Sequence, residues 1–310
     1  MTTSAMLTDA TFRLPNGPFK PFARAPWVGT VDDPSIVGHL RVLAGDFVGL
    51  PFGTGGRQAP NLPEWSALMT QSPKGTIHGP VAHEEWTIVS GDDRTVTLAL
   101  DYEPHSAVRR VERTITAREG GPALDFSMRI FARHKATMSA GLHPNFRLPD
   151  NPGRLELKLD FQFGLTHPGQ TAVGDSQEFS SLSSVPRNGE RVDMSHIPLS
   201  PRTDKNVLLC GATGPLTGTY LDEGAGFELD WDRDLLPSLM IWHTDGGIGG
   251  EPWNNQFRAV GLEPLASAFD LHTDVSSGPN PINKRGIRTS IDIDPAQPLE
   301  VKHSIRAFVA

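Results

Sequence analysis

The run "LDFSMRI" (residues 124–130) alternates apolar and polar side chains with a period of two. Leu124, Phe126, Met128 and Ile130 fall on one face of an extended chain, and the intervening residues fall on the other. This pattern is typical of an antiparallel strand that places one face on a core and the other in water. The run therefore predicts a half-buried β-strand.

Three further runs repeat this alternation: "RTVTLALDY" (94–102), "LELKLDFQF" (155–163) and "LEVKHSIRAFV" (299–309). Each is predicted to form one strand with its apolar residues on one face. Turn sequences rich in glycine, proline and aspartate lie between such runs, and the best helix candidate is the short "PSIVGHLRVL" (34–43). The sequence therefore predicts an all-β fold, a large antiparallel two-sheet β-sandwich, as a single domain over 1–310.

Composition limits the classes of function. The chain has 310 residues, 37% of them hydrophobic and 21% charged, which is enough apolar material for a large core. Its formal charge of −8 argues against nucleic acid as a partner, because phosphates would repel it. No apolar run reaches the roughly 18 residues of a membrane helix, and the N-terminus lacks a signal-peptide pattern. The single cysteine, Cys210, is predicted to be a buried apolar residue, and we expect a cytoplasmic protein.

Two candidate site segments lie in the first third of the chain. The glycine-rich "VGLPFGTGGRQAPN" (48–61) permits close approach of the backbone to a ligand, and its Arg57 is suited to bind an oxygen-rich one; a plain surface loop is the alternative. The segment "IHGPVAHEEWTIV" (77–89) contains His78 and His83. Their spacing lacks helical geometry and a third ligand, so we predict no metal site there.

Two more candidate segments follow. "GLHPNFRLPD" (141–150) places His143 before a proline, which restrains the chain and is expected to orient the imidazole. "LMIWHTDGGIGGEPWNNQFRAVGLEPLASAF" (239–269) contains Trp242 and Glu263. Trp242 is suited either to stack on a ligand or to pack in the core. Glu263 ends an apolar run, where a carboxylate is costly to bury, so it is either a salt-bridge residue or a general base.

These segments, in this order, resemble the aldose 1-epimerase (galactose mutarotase-like) superfamily from about residue 47 to the C-terminus. The residues that carry the resemblance are His78-Gly79, Trp86, His143-Pro144-Asn145-Phe146 and Gly261-Leu262-Glu263-Pro264. The spacing from His78 to Trp86, and "GLPFG" upstream, are nearest to the hexose-6-phosphate mutarotase-like branch. The resemblance implies a galactose mutarotase-like supersandwich with a sugar in a cleft on one face.

The resemblance also implies an activity, the interconversion of the α and β anomers of an aldose by acid–base ring opening. Glu263 matches the family's base, which takes the proton of the anomeric hydroxyl, and His143 matches the acid, which protonates the ring oxygen. His78 matches the second histidine near the ring oxygen, and Arg57 and Asp204 match side chains that contact sugar hydroxyls. The implied enzyme is an isomerase that needs no metal or organic cofactor, takes a small sugar as its partner and is a monomer or dimer.

Two departures from the family pattern concern the substrate. Asn145 stands where the family commonly has tyrosine, so we predict that it contacts substrate and influences which substituent is accepted. Ala82 stands where the hexose-6-phosphate branch usually has arginine, which argues against a phosphorylated sugar. Arg57, Arg147 or Arg258 would instead offer an anion contact, so a sulfonated or carboxylated sugar stays open alongside a neutral one.

Two other functions compete with mutarotation. A carbohydrate-binding or regulatory protein would keep the sandwich and the cleft without turnover, because a fold does not fix a function. A glycoside hydrolase or lyase would need a second carboxylate beside Glu263, for which Asp245 and Glu251 are the candidates.

Overall fold

The computed structural model describes residues 2–31, 33, 35–36, 38–53, 63–66, 76–169, 176–200 and 202–310. The strands are β1 (Phe12–Leu14), β2 (Gly17–Phe19), β3 (Asp46–Gly49), β4 (Thr87–Gly91), β5 (Thr95–Asp101), β6 (Val108–Ala117), β7 (Ala123–Ala132), β8 (Ala136–Met138), β9 (Ala140–Arg147), β10 (Leu155–Lys158), β11 (Phe161–Thr166), β12 (Glu178–Phe179), β13 (Val185–Arg187), β14 (Glu190–Val192), β15 (His196–Ile197), β16 (Asp204–Ala212), β17 (Leu216–Tyr220), β18 (Ala225–Trp231), β19 (Ser238–Asp245), β20 (Arg258–Ala266), β21 (Ile291–Ile293) and β22 (Leu299–Val309). The α-helices are α1 (Pro63–Ser66) and α2 (Thr273–Ser277), and 3-10 helices span Gly38–Val42, Pro80–Ala82 and Asn283–Arg285.

The larger sheet of the described chain has the strand order β15-β10-β17-β18-β22-β7-β6-β5-β4, and its strand pairs are antiparallel. β7 contains the run that opened the sequence analysis, and Phe126, Met128 and Ile130 on it are buried as predicted. β5 and β22 likewise bury one face, although Val309 at the end of β22 is exposed.

The smaller sheet of the described chain has the order β12-β11-β16-β19-β20-β9-β3 and is also antiparallel. Its central strands β19, β20 and β9 are buried over almost their whole length. One face packs on the larger sheet and the other lies under connecting segments, which is why these strands read as apolar runs rather than as a clean alternation. The fold class, an all-β antiparallel sandwich, is confirmed.

The main hydrophobic core lies between the two large sheets and contains buried side chains from both of them. Phe146 of β9 stacks on Phe227 of β18 with ring centroids 3.8 Å apart. A buried charged group also joins the layers: Arg113 of β6 donates to the carboxylate of Asp46 on β3, and His303 Nε2 of β22 lies 3.1 Å from the same carboxylate. These contacts fix β3, the edge strand nearest the candidate site.

One predicted strand is wrong. "LELKLDFQF" forms two strands in different sheets, since β10 pairs with β17 of the larger sheet and β11 pairs with β16 of the smaller one. The chain crosses between the layers at Leu159 and Asp160, where the Asp160 carbonyl accepts from the Thr213 backbone N–H at 3.0 Å. A period of two in the sequence indicates which face of a strand is apolar, but it does not indicate which sheet the strand joins. The alternation therefore continues where the chain crosses from one sheet to the other.

Other predictions have simpler outcomes. The helix candidate at 34–43 contains the 3-10 helix Gly38–Val42, with two of its residues outside the described ones. Cys210 is buried on β16, as predicted. In the part of the chain that the structure describes, the helices are too short or too polar to cross a membrane.

Candidate active site

The register of β9 and β20 brings His143 and Glu263 together. The pairs Gly261–Asn145 and Leu265–Gly141 bracket them, so the two side chains lie across from each other on neighbouring strands. His143 Nε2 is 3.4 Å from Glu263 Oε1. Two ionisable side chains that are 120 positions apart in sequence therefore lie close together in space.

Glu263 is completely buried, with 0% of its surface exposed. Neither carboxylate oxygen has a hydrogen-bond partner among the described residues. Burial, reinforced by the charge of Asp270, raises the pKa of Glu263 well above its ordinary value. Burial therefore favours the protonated form of the carboxyl group.

Glycine at 261 makes room for this carboxyl group. Gly261 and Glu263 share a face of β20, and a methyl group at Gly261 would overlap the Glu263 carboxylate and come within 3.2 Å of the Trp242 ring. The "GLEP" motif therefore needs glycine at its first position, because any larger side chain there would occupy the space of the Glu263 carboxyl group.

His143 lies in an aromatic setting. Its ring stacks on Phe47 at 4.3 Å between centroids, and the edge of Trp242 approaches at 5.7 Å. Burial, followed by the positive field of His39, lowers the pKa of His143 to about 3. The imidazole is neutral at neutral pH and is free to accept a proton from Glu263 or from a ligand.

His78 reaches the same place through a strained turn. Its φ is 59°, in the left-handed region that non-glycine residues seldom adopt, and Gly79 follows with φ 72°. A side chain at Gly79 would overlap the Leu50 carbonyl, which explains the "HG" pair. The His78 backbone N–H donates to the Gly53 carbonyl at 2.7 Å, and the His78 ring lies 5.2 Å from the His143 ring. Strain of this kind is typical of functional positions.

These side chains line a cavity of about 270 Å³. Its wall contains four of the candidate residues, His78, His143, Trp242 and Glu263. The other described residues that line it are His39, Leu40, Leu43, Phe47, Ile77, Asn206, Met240, Ile248, Trp253 and Asp270. The volume and the mixture of aromatic and polar groups suit a monosaccharide. A larger depression of about 640 Å³ contains neither His143 nor Glu263, so we place the candidate site in the smaller cavity.

Two ionisable residues of the described cavity wall, His39 and Asp270, were not predicted from the sequence. His39 lies in the 3-10 helix Gly38–Val42 and is 6% exposed, and its Nδ1 has no hydrogen-bond partner among the described residues. Asp270 lies seven positions after Glu263, beyond the end of β20. Neither belongs to a motif with a recognisable spacing, so no local signal pointed to them.

Two of the predicted ligand contacts, Asn145 and Asp204, do not line this cavity. Asn145 is fully buried, and its amide donates to the carbonyls of Gly45 at 3.2 Å and His143 at 3.1 Å. Asp204 begins β16 opposite Thr244 and does not line the cavity, and burial raises its pKa. Arg57 lies outside the described residues.

The other sequence candidates have partners elsewhere. Asp245 pairs with Arg258 at 2.5 Å and does not line the cavity. Glu251 is exposed in the segment after β19. His83, the suggested partner of His78 in a metal pair, places Nε2 2.8 Å from the Ile77 carbonyl. Across the described residues, no group of three histidine, cysteine, aspartate or glutamate side chains is placed to hold a metal ion.

Comparison with known proteins gives the fold a wider context. No protein-family model and no curated protein matches the sequence. Among solved structures, the chain is similar to a GalM/aldose epimerase homologue from C. elegans, with 12% identity, a TM-score of 0.64 and coverage of 100% of this chain and 94% of that one. It is also similar to a galactose mutarotase related enzyme from Lactobacillus acidophilus, with 11% identity, a TM-score of 0.57 and 97% coverage of both chains. A galactose mutarotase-like protein from Lactobacillus casei ATCC 334 gives 13% identity, a TM-score of 0.54 and 84% coverage of both. The chain therefore has the galactose mutarotase-like fold.

Proposed function

We propose that the protein is an aldose mutarotase in which Glu263 and His143 form the acid–base pair. The observation that carries the proposal is the 3.4 Å approach of His143 Nε2 to Glu263 Oε1 in a buried cavity on a mutarotase-like fold. The neighbouring His78 and Trp242 provide a further hydrogen-bonding group and a flat apolar surface, which suit a sugar ring.

Ring opening needs one base and one acid. The O1–H bond of the anomeric hydroxyl breaks while an O–H bond forms at the ring oxygen, so that the C1–O5 bond opens and a C1 carbonyl forms. Rotation about the C1–C2 bond and the reverse transfers give the other anomer. Each acid or base contributes a rate factor of about 10²–10⁴.

Ring opening requires one transferable proton shared between Glu263 and His143. Burial favours that proton on Glu263, because it raises the pKa of Glu263 and lowers the pKa of His143. A bound sugar hydroxyl that donates to the Glu263 carboxylate would favour its charged form and move the proton to His143. Glu263 then acts as the base and His143 as the acid, as the resemblance implies, and the transfers of ring closure restore both groups.

The test is exchange between anomers, measured by NMR on a panel of aldoses with and without the protein. We expect exchange above the spontaneous rate for at least one aldose. Binding without faster exchange would favour the alternative of a non-catalytic carbohydrate-binding or regulatory protein. Release of a reducing sugar from a glycoside would favour a hydrolase, and either result would contradict the proposal.

A further inference from the structure

Asp270 is the second carboxylate in the cavity wall, and the fold places it there under strain. It follows β20 in the segment before α2 and lines the cavity with Glu263 and His78. The preceding residue, Phe269, has φ 56°, a left-handed conformation that is a genuine outlier for a bulky side chain. Its ring is fixed by edge contacts with Trp65 at 5.9 Å and His167 at 5.0 Å. Strain that is held in place by packing points to a functional position.

His167 fixes the orientation of Asp270. His167 Nε2 lies 2.7 Å from Asp270 Oδ1, and the backbone N–H of Gly169 donates to His167 Nδ1 at 3.0 Å. Because Nδ1 accepts a hydrogen bond, the neutral imidazole carries its proton on Nε2 and donates it to the carboxylate. Burial opposes a charge on Asp270, but His167 and His78 nevertheless keep the pKa of its carboxyl group below the ordinary value.

The described wall of the cavity therefore contains two carboxyl groups in different environments. Glu263 has no hydrogen-bond partner among the described residues, which favours its neutral form, whereas a hydrogen bond from His167 favours the charged form of Asp270. The side chain of Asp270 is 25% exposed, and the residue lines the cavity wall. Its position suits an acceptor for a ligand.

Among the described residues, the charges around the cavity are unfavourable for an anion. Arg147 donates to the Lys20 carbonyl at 2.7 Å and to Glu223 at 2.6 Å. Arg258 pairs with Asp245 and Asp150. Of the described residues that line the cavity, none is lysine or arginine. An acidic group on a ligand would meet Asp270 without a compensating cation in this part of the wall.

We propose that Asp270, positioned by His167, is a specificity-determining residue that accepts a hydrogen bond from a sugar hydroxyl and repels sugars that carry an acidic group. This inference rests on the proposed mutarotase function. Of the neutral, sulfonated and carboxylated sugars that the sequence left open, the inference favours a neutral sugar as the substrate.

The test compares matched pairs of sugars, glucose with glucose 6-phosphate and galactose with galactose 6-phosphate, in the anomer-exchange assay. For the wild type we expect kcat/KM to favour the neutral member by at least about tenfold. Asp270→Asn should lower kcat/KM for the neutral sugar by about tenfold, because the hydrogen bond to a charged oxygen becomes a weaker one to a neutral amide oxygen, and should reduce the preference for it. His167→Gln should reduce the same preference to a smaller extent. Asp222→Asn, which removes one charge from an exposed pair with Arg154, is the control and should change neither value.

Binding separates a failure of this inference from a failure of the proposed function. Calorimetric titration with 1,5-anhydroglucitol and its 6-phosphate needs no turnover, because neither has an anomeric hydroxyl. The role of Asp270 would be supported if the wild type binds the neutral compound more tightly than its 6-phosphate and if Asp270→Asn weakens that binding. This holds even if no sugar is interconverted. Equal or better use of the phosphorylated sugars by the wild type would overturn the inference and leave mutarotation intact. If Asp270→Asn does not fold, the wild-type preference and its change in His167→Gln decide the matter.

Discussion

His143 Nε2 and Glu263 Oε1 lie 3.4 Å apart across the β9–β20 pair, with Gly261–Asn145 and Leu265–Gly141 as the flanking register pairs. Their separation is set by backbone pairing in the middle of a sheet rather than by flexible loops. Sites built on rigid elements hold acid–base geometry more closely than sites on loops.

The first prediction concerns pH. Burial raises the pKa of Glu263 and lowers the pKa of His143 to about 3, so the pair keeps one proton over a wide range. We expect kcat/KM, corrected for spontaneous exchange, to be flat through the mildly acidic range. It should fall on the alkaline side as Glu263 loses its proton, and on the acid side as His143 gains a second one. Activity that rises through the ordinary glutamate value of 4.5 and persists in alkali would contradict this.

The second prediction concerns the spacing glycine. Gly261→Ala places a methyl group against the Glu263 carboxylate, so the base must move. A displacement of about 1 Å costs roughly 100-fold in rate, and we expect kcat to fall by that order while the sheet stays folded. The control is Gly121→Ala, at a glycine with open space around its Cα. Unchanged kcat in Gly261→Ala would show that the position of Glu263 does not limit the reaction.

The third prediction concerns Asn145. Its amide donates to the carbonyls of Gly45 and His143, so Asn145→Ala should lower the free energy of unfolding by about 1–3 kcal/mol. The relative kcat/KM values for different sugars should stay the same, because the side chain does not line the cavity. Urea unfolding and the sugar panel give the two measurements, with exposed Asn151→Ala as the control. A changed sugar preference without loss of stability would restore Asn145 as a substrate contact.

The fourth prediction concerns the buried charged group between the sheets. Arg113→Met leaves the fully buried Asp46 with His303 as its remaining side-chain partner. Breaking a buried pair in this way costs about 3–5 kcal/mol in the free energy of unfolding. Arg306→Met, at an exposed pair with Glu228, should cost less than about 1 kcal/mol. Similar losses in the two variants by urea unfolding would argue against a role for Arg113 in joining the sheets.

The fold was predictable to the extent that each strand has one apolar face. "LDFSMRI" and "RTVTLALDY" each formed a single strand in which the expected apolar residues are buried, except that Leu124 and Val96 are half-buried. "LELKLDFQF" did not, because its alternation continues while the chain passes from one sheet to the other. Sheet membership depends on long-range pairing, which a local period does not contain.

The candidate site was predictable where a motif marks it and not elsewhere. His78 of the "HG" pair, His143 and Glu263 line the same cavity, each at a position where glycine or proline neighbours restrict the chain. Asp270 and His39 reach the cavity from segments without a motif. Asn145 has the same alternation phase as His143, yet the neighbouring carbonyl of Gly45 engages its amide. Competition of this kind depends on tertiary contacts and leaves no trace in local sequence.

The most direct test of the account is anomer exchange by Glu263→Gln. The amide has the shape of the protonated carboxyl group that burial favours, so the variant should fold as the wild type does. The amide cannot give up or accept a proton as the carboxyl group can, and we expect exchange to fall by about 10²–10⁴-fold. Glu228→Gln on the exposed face of β18 is the matched control and should retain full activity. Wild-type exchange rates in folded Glu263→Gln would contradict the assignment of this cavity as the active site.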